Sequence, residues 1–389
     1  MTRPMVLRLA DGTEWRGVSF GADVAVAGEV VFNTAMYGYV ETLTDPSYRG
    51  QILITTWPLV GNYGVPADRP AGSLVRPFES DRVQVQGLVV QGYSPDPSHH
   101  TSARSLGAWL KAHNVPAITG IDTRALTRRL REHGTVQGWI VPDEGDIDGQ
   151  IAKARAIDMT REVFTSVTPD ETTHLGEAGP TVLVIDSGCK DGIVRCLLDR
   201  GARVVRAPFT ADLPALAAHV DGIMMGNGPG DPKDLGDLIA QVRVLLQGDT
   251  PIFGVCLGHQ ILALAAGADT YKLPYGHRGV NQPVQDLYSR RCLITSQNHG
   301  YAVDDRTLPA GWEPWFLNTN DGTNEGLRCI NKPFSSVQFH PEACPGPQDA
   351  AYLFDDFLAR VSASSGIPLA PPRLTSAPIP EASTAQEVR

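Results

Sequence analysis

Cys256 lies in Gly254-Val255-Cys256-Leu257-Gly258-His259-Gln260, between two apolar segments. Residues 251–255 are short and β-prone, and residues 257–266 have helical spacing and stop at Gly267. A nucleophile on such a sharp strand-to-helix turn needs small neighbours, here Gly254 and Gly258. The turn exposes the sulfur, and the helix N-terminus behind it favours the thiolate, the form that attacks carbon. Taken alone, the stretch also fits a buried core cysteine. Downstream, residues 337–339 read as a strand with His340 and Glu342 at its C-terminal end. Residues two apart in an extended chain point to the same side, so imidazole and carboxylate are neighbours. The carboxylate fixes the histidine tautomer and supports the cation formed when the ring takes a thiol proton. Cys256, His340 and Glu342 therefore read as a thiol triad. A third stretch, residues 221–232, is a strand running into Gly226-Asn227-Gly228-Pro229-Gly230-Asp231-Pro232. Its glycines let backbone N–H groups approach a ligand closely, as an oxyanion hole requires. A phosphate loop would carry Lys-Ser/Thr after the glycines, and this one does not.

Holding these residues together calls for an α/β sheet. Residues 181–185, 203–207 and 222–225 read as strands, alternating with helices over 193–200, 213–219 and 235–247. That alternation implies a largely parallel sheet flanked by helices on both faces, with sites at the C-terminal ends of its strands. Beyond the elbow helix the strands are less regularly interspersed with helices, which predicts a mixed sheet edge. Residues 165–180 are polar with little periodicity and read as a linker. After Ser362 the chain is rich in Pro, Ala and Ser and reads as a disordered tail.

With 389 residues the chain has room for two cores. The resulting division is an N-terminal domain over 1–160, a linker over 161–180, a second domain over 181–361 and a tail over 362–389. No apolar run approaches the roughly 20 residues needed to span a bilayer, so no membrane partner is expected. Arg8 and Asp11 interrupt any signal-like apolar stretch. A net charge of −10 without a basic run argues against nucleic acid as a partner. The six cysteines form no C-x-x-C pair, so neither a metal site nor a disulfide framework is expected. A cytoplasmic, reducing location follows.

The elbow, the N-G-P-G-D-P loop and the H-P-E ending, in this order, resemble the class I, or triad, glutamine amidotransferases over roughly residues 180–360. Such domains cleave the side-chain amide of glutamine and hand the ammonia to a synthase. The resemblance implies that Cys256 attacks the amide carbon, His340 moves the proton, and the N–H groups of Leu257 and Gly228 hold the oxyanion.

The N-terminal part reads from its residues only as a mixed α/β domain. It opens with a hairpin turning at Asp11-Gly12 and has a helix over 124–133 capped by Asp122 and Gly134. Further strands are expected over 28–33, 51–55, 83–91 and 136–141. Its Gly28-Glu29-Val30-Val31-Phe32-Asn33-Thr34, Leu43-Thr44-Asp45-Pro46-Ser47-Tyr48 and Gly120-Ile121-Asp122-Thr123-Arg124 stretches are similar to the small subunit of carbamoyl-phosphate synthase. That likeness implies a glutaminase subunit working with a large subunit that binds ATP and Mg, this chain needing no cofactor of its own. By motif position it implies L-glutamine contacts at Ser47, Gly228, Gly230, Leu257, Gln260, Asn298, Gly300 and Tyr301. Asp186-Ser187-Gly188-Cys189-Lys190-Asp191-Gly192 departs from the family pattern, which would have an aromatic or Cys before the glycine and an Asn near 191. This stretch is expected to lie away from the triad. His259 and Cys344 read as structural neighbours of the site. A solitary cysteine hydrolase or a recognition scaffold are the competing readings; glutamate release blocked by a thiol alkylator, and copurification with a larger partner, distinguish them.

Overall fold

A computed structural model of the chain describes residues 3–70 and 72–371. Cys256, His340 and Glu342 follow the ends of strands in a ten-stranded sheet. Its order is Thr173–Leu175, Arg203–Pro208, Thr181–Asp186, Gly222–Met225, Ile252–Val255, Phe334–Val337, Asn324–Cys329, Trp312–Asn318, Asp269–Asp286 and Cys292–Asp304. The five strands from Arg203–Pro208 to Phe334–Val337 are mutually parallel. Their apolar residues alternate between two cores, as the strand period requires. Val182 and Val184 pack with Ile193, Leu197 and Phe354 on one face, while Leu183 and Ile185 pack with Leu213, Leu238 and Ile261 on the other. Burying each such side chain contributes about 1.5–3 kcal/mol.

The remaining strands pair antiparallel. The mixed edge foreseen beyond the elbow helix is thus a broad antiparallel half of the sheet. It ends in a long hairpin, Asp269–Asp286 against Cys292–Asp304, whose register shifts between Lys272 and His277 and again between Gly279 and Gln282. Such irregularities bend a ribbon and re-aim its side chains. The stretch read as a linker is not without structure: Thr173–Leu175 adds an antiparallel edge strand beside Arg203–Pro208.

The N-terminal residues form a closed barrel of Pro4–Leu9, Glu14–Ser19, Ala117–Thr119, Gly87–Val89, Gln51–Thr55, Val26–Asn33 and Val136–Pro142. Its first hairpin turns through Gly12 at φ 84°. The helix Thr123–His133 begins where the Asp122 side chain accepts the Ala125 N–H, and it ends at Gly134. The strand expected over 83–91 is shorter, Gly87–Val89. Between the barrel strands Val26–Asn33 and Gln51–Thr55 lie the helix Tyr39–Thr44 and the 3-10 turn Pro46–Tyr48, which carry Asp45 and Ser47 to the other sheet.

The last helix, Tyr352–Ser365, runs past Ser362, the residue where the tail was expected to begin. Its apolar residues Leu358 and Val361 keep it on the core through that point, and the left-handed Gly366 stops it. Ala370 then donates its N–H to Gly201 O at 3.1 Å. The rest of the expected tail, residues 372–389, lies outside the described residues. Among the described residues no helix is long and apolar enough to cross a membrane.

Candidate active site

Cys256 sits between the strand Ile252–Val255 and the helix Leu257–Ala266 with φ 54° and ψ −104°. A non-glycine residue in that region is strained, and the surroundings must hold it there. Two glycines make the close packing feasible. A Cβ on Gly254 would meet Gly258 O at 2.7 Å, and one on Gly258 would meet Met225 O at 2.4 Å. Gly258→Ala should therefore destabilise the protein by about 1–3 kcal/mol, because backbone rather than a side-chain tip must yield. A thermal melt checks this; an unchanged midpoint would show that the elbow has slack.

His340 follows the strand Phe334–Val337, which stops short of the residue 339 expected for its end. The His340 N–H donates to Ser296 O at 2.9 Å and anchors it there. His340 Nδ1 lies 2.6 Å from Glu342 Oε1. Nδ1 thus donates to the carboxylate, and the buried Nε2, which makes no other hydrogen bond, is the nitrogen available to the thiol. Burial pushes the imidazole down, but the Glu342 carboxylate and the Cys256 sulfur outweigh it and raise the ring to about 10. Burial pushes Glu342 up, yet Lys190 and His340 outweigh it and hold the carboxyl at about 2.

Lys190 corrects the expectation that residues 186–192 lie away from the triad. Its side chain is 3 % exposed, and Nζ donates to Glu342 Oε1 at 2.9 Å and to Ala343 O at 2.7 Å. Burial lowers the ammonium, but Glu342, Glu79 and Asp45 together raise it above its ordinary value. The stretch ends the strand Thr181–Asp186, and parallel strands bring their C-terminal ends to one edge of the sheet. Sequence distance concealed that convergence.

A cavity of about 360 Å³ opens at Cys256. Ser47, Gly228, Gly230, Gln260, Asn298, Gly300 and Tyr301 all line it. Leu257, expected as a glutamine contact, is not among the residues that line it; its N–H, first in the helix, has no intrahelical acceptor. His340 and Glu342 are not among the residues on the cavity wall. Ser47 Oγ accepts from Asn227 Nδ2 at 2.8 Å, and the Ser47 N–H donates to Asp45 Oδ1 at 2.9 Å. Asp45 Oδ2 in turn accepts from Asn298 Nδ2 at 2.9 Å. Gln260 Nε2 donates to Tyr301 O at 2.9 Å and Gln338 Oε1 at 3.0 Å.

Several of these partners were not singled out from sequence. Asp45 and Asn227 stood inside the quoted motifs, which was a usable signal. Glu29 stood in a quoted stretch too, but Arg278, which brings the opposite charge to the cavity, lay outside every quoted motif. Glu29 accepts from Lys272 Nζ at 2.8 Å; burial raises its carboxyl, but Arg278 and Lys272 outweigh that and hold it below the ordinary range. Arg278 is buried with Nε unpartnered, and burial lowers its guanidinium. His259 is fully buried, with Nδ1 2.9 Å from Ser336 Oγ, and burial pushes it down to about 3. It is a neutral packing residue. Cys344 lines no part of the cavity.

Comparison with known proteins covers both parts of the chain. The family model of the carbamoyl-phosphate synthase small chain, CPSase domain, matches residues 7–140, and that of class-I glutamine amidotransferase matches residues 183–360. The carbamoyl phosphate synthase arginine-specific small chain of Emericella nidulans is 47% identical over 360 residues, covering 91% of this chain and 78% of that protein. Its counterpart in Aspergillus niger is 46% identical over 367 residues, covering 92% of this chain and 80% of that protein. The multifunctional protein URA2 of Saccharomyces cerevisiae is 43% identical over 390 residues, covering 92% of this chain and 18% of that much longer protein. With both domains matched and the likeness running across nearly its whole length, the chain belongs to the carbamoyl-phosphate synthase small-chain family, with a class-I glutamine amidotransferase domain as its C-terminal part.

Proposed function

We propose that this chain is the glutaminase subunit of a carbamoyl-phosphate synthase. It hydrolyses L-glutamine to glutamate and passes the ammonia to a large subunit in the cytoplasm. The observation that carries the reading is the meeting of Cys256 with the His340–Glu342 pair at the edge of a cavity of about 360 Å³ walled by both domains. That cavity holds Glu29 and Asp231 as well as Lys272 and Arg278, so it offers both charge signs to a zwitterionic amino acid.

His340 Nε2 takes the Cys256 thiol proton, and Glu342 steadies the imidazolium through Nδ1. The thiolate attacks the side-chain amide carbon of glutamine. The N–H groups of Leu257 and Gly228 receive the developing oxyanion. Collapse of the tetrahedral adduct breaks the C–N bond, and the imidazolium proton leaves with the nitrogen as ammonia. A glutamyl thioester remains. His340 then takes a proton from water, hydroxide adds to the thioester carbonyl, and the C–S bond breaks to release glutamate and restore the thiol. The large subunit would bind ATP and Mg and join the ammonia with bicarbonate to make carbamoyl phosphate, a precursor of arginine and pyrimidines.

His340→Ala should lower glutamine hydrolysis by about 10²–10⁴, the usual contribution of a placed acid–base group. Glu342→Ala should be milder in rate, since the carboxylate orients rather than transfers the proton. Glutamate and ammonia release from glutamine, followed for each folded variant, is the measurement. Near-normal hydrolysis in His340→Ala would remove this ring from the mechanism.

A further inference from the structure

Beside the cavity, which His299 helps to line, three strands of the antiparallel half bring His277, His299 and Glu325 together. One ligand atom from each lies within 4.8 Å of the others. The residues are 8 %, 5 % and 0 % exposed. His277 Nε2 is 2.8 Å from Asp321 Oδ2, so this nitrogen donates; in the neutral ring, the form a metal would take, the lone pair is on Nδ1. That lone pair faces Glu325 Oε1 at 3.4 Å. His299 Nδ1 donates to Tyr301 O at 2.8 Å, which leaves its lone pair on Nε2. There it meets Gln297 Oε1 at 3.2 Å, an amide whose nitrogen is turned to Thr295 Oγ1. Glu325 Oε2 is buried without a partner. Asn318 Nδ2 reaches in as a donor, 3.0 Å from Glu325 Oε1 and 3.5 Å from His277 Nδ1. Two imidazole lone pairs, a carboxylate and an amide oxygen thus meet in one buried space.

We propose that His277, His299 and Glu325 form a structural site for a divalent transition-metal ion of the zinc class. Zinc takes imidazole nitrogen and carboxylate oxygen at about 2 Å in a tetrahedron, which sets the ligand atoms about 3.4 Å apart. The His277–Glu325 edge already has that length, at 3.4 Å. Both rings make the outer hydrogen bond that metal-bound histidines use, one to a carboxylate and one to a backbone carbonyl. Gln297 Oε1, 3.2 Å from His299 Nε2, is an oxygen close enough to that nitrogen to serve as a fourth ligand. The ion would tie three strands together, one of them carrying Asn298, Gly300 and Tyr301 of the cavity wall. No cysteine takes part, and the ligands lie on separate strands, so no spacing motif announces the site. The rival occupant is a proton on His277, held between Asp321 and Glu325.

The test is a Co²⁺ titration of the full chain after chelator treatment, beside zinc analysis of the protein as purified. One ion per chain is expected, with the strong visible bands of a low-coordinate site and no thiolate charge-transfer band. Glu325→Gln, which keeps the shape and removes the charge, should weaken binding by about 100-fold or more, and Asp321→Asn by about 10–100-fold. Zinc should raise the melting temperature of the stripped wild type and leave that of Glu325→Gln unchanged. No stoichiometric uptake, a spectrum dominated by thiolate ligation, or undiminished binding by Glu325→Gln would each overturn the site in favour of the proton. Should Glu325→Gln fail to fold, Asp321→Asn decides, because its side chain is 41 % exposed and its loss leaves the core intact.

Discussion

Replacing Cys256 by serine is expected to lower glutamine hydrolysis on the order of 10⁴-fold or more, the scale seen when a covalent nucleophile is removed. Serine is close in size to cysteine and meets the same left-handed backbone at φ 54°, so the elbow should fold. Its hydroxyl, however, is far less ionised than a thiol, and the site is arranged for sulfur. Glutamine binding should survive, because Ser47, Gln260 and Asn298 hold their positions through partners other than the sulfur. If the chain's task is to supply nitrogen, ammonium in excess should bypass the lesion. The variant, reconstituted with its large subunit, should then make carbamoyl phosphate from ammonium, bicarbonate and ATP but not from glutamine. Retained activity with glutamine would sink the nucleophile assignment. A folded complex inactive with both nitrogen sources would count against the division of labour and leave a cysteine hydrolase with an additional domain.

Lys190→Met should be costly in two measurements at once. Methionine approximates the aliphatic stem but leaves Glu342, fully buried at the side chain, without its ammonium partner. Removing one member of a buried ion pair typically costs about 3–5 kcal/mol, much of it from the stranded charge. The carboxyl would regain part of its stability by taking up a proton, and a neutral carboxyl supports an imidazolium poorly. Glutamine hydrolysis should therefore fall by about 10²-fold, in the range expected when an acid–base group is impaired. The acidic limb of kcat/KM should also move toward higher pH, since Glu342 would then protonate at a higher pH. Urea melts and a pH–rate profile read the two effects separately. A variant that melts early but keeps the wild-type pH profile would make Lys190 a packing residue with no hold on the triad; a wild-type melt would refute the pairing itself.

Local patterns carried much of the architecture. Apolar runs such as residues 182–185 predict parallel strands because helices cover both faces, and Asp122 and Gly134 mark a helix by the hydrogen bonds its two ends require. The residues around the cavity were legible where they sat in compact motifs: Cys256 between two glycines, His340 two residues from Glu342, Ser47 beside Asp45. What escaped was the result of long-range convergence. Lys190 reaches Glu342 only because two parallel strands end at the same edge. Arg278 and Glu29 face one cavity because a bulged hairpin bends toward the barrel, and no local pattern encodes that bend. The edge strand Thr173–Leu175 was concealed by polar composition, since pairing on one side and exposure on the other demand little apolar patterning. At the other end, Ser, Ala and Pro suggested a tail too early, because three more residues of helix past Ser362 fit the same composition.

Asp45 binds Asn298, and Ser47 binds Asn227, so the wall of the cavity is held jointly by the barrel and by the sheet. A small rotation of one domain against the other would pull Ser47 from the cavity without disturbing Cys256, His340 or Glu342. Interdomain rigidity is therefore a quantity on which natural selection can act as directly as on the thiol itself. Exchange of the sheet domain between relatives would have to preserve the meeting of the incoming asparagines with the old aspartate and serine. Those two hydrogen bonds act together with the ion pairs Glu29–Lys272 and Glu79–Arg195 in setting one half against the other.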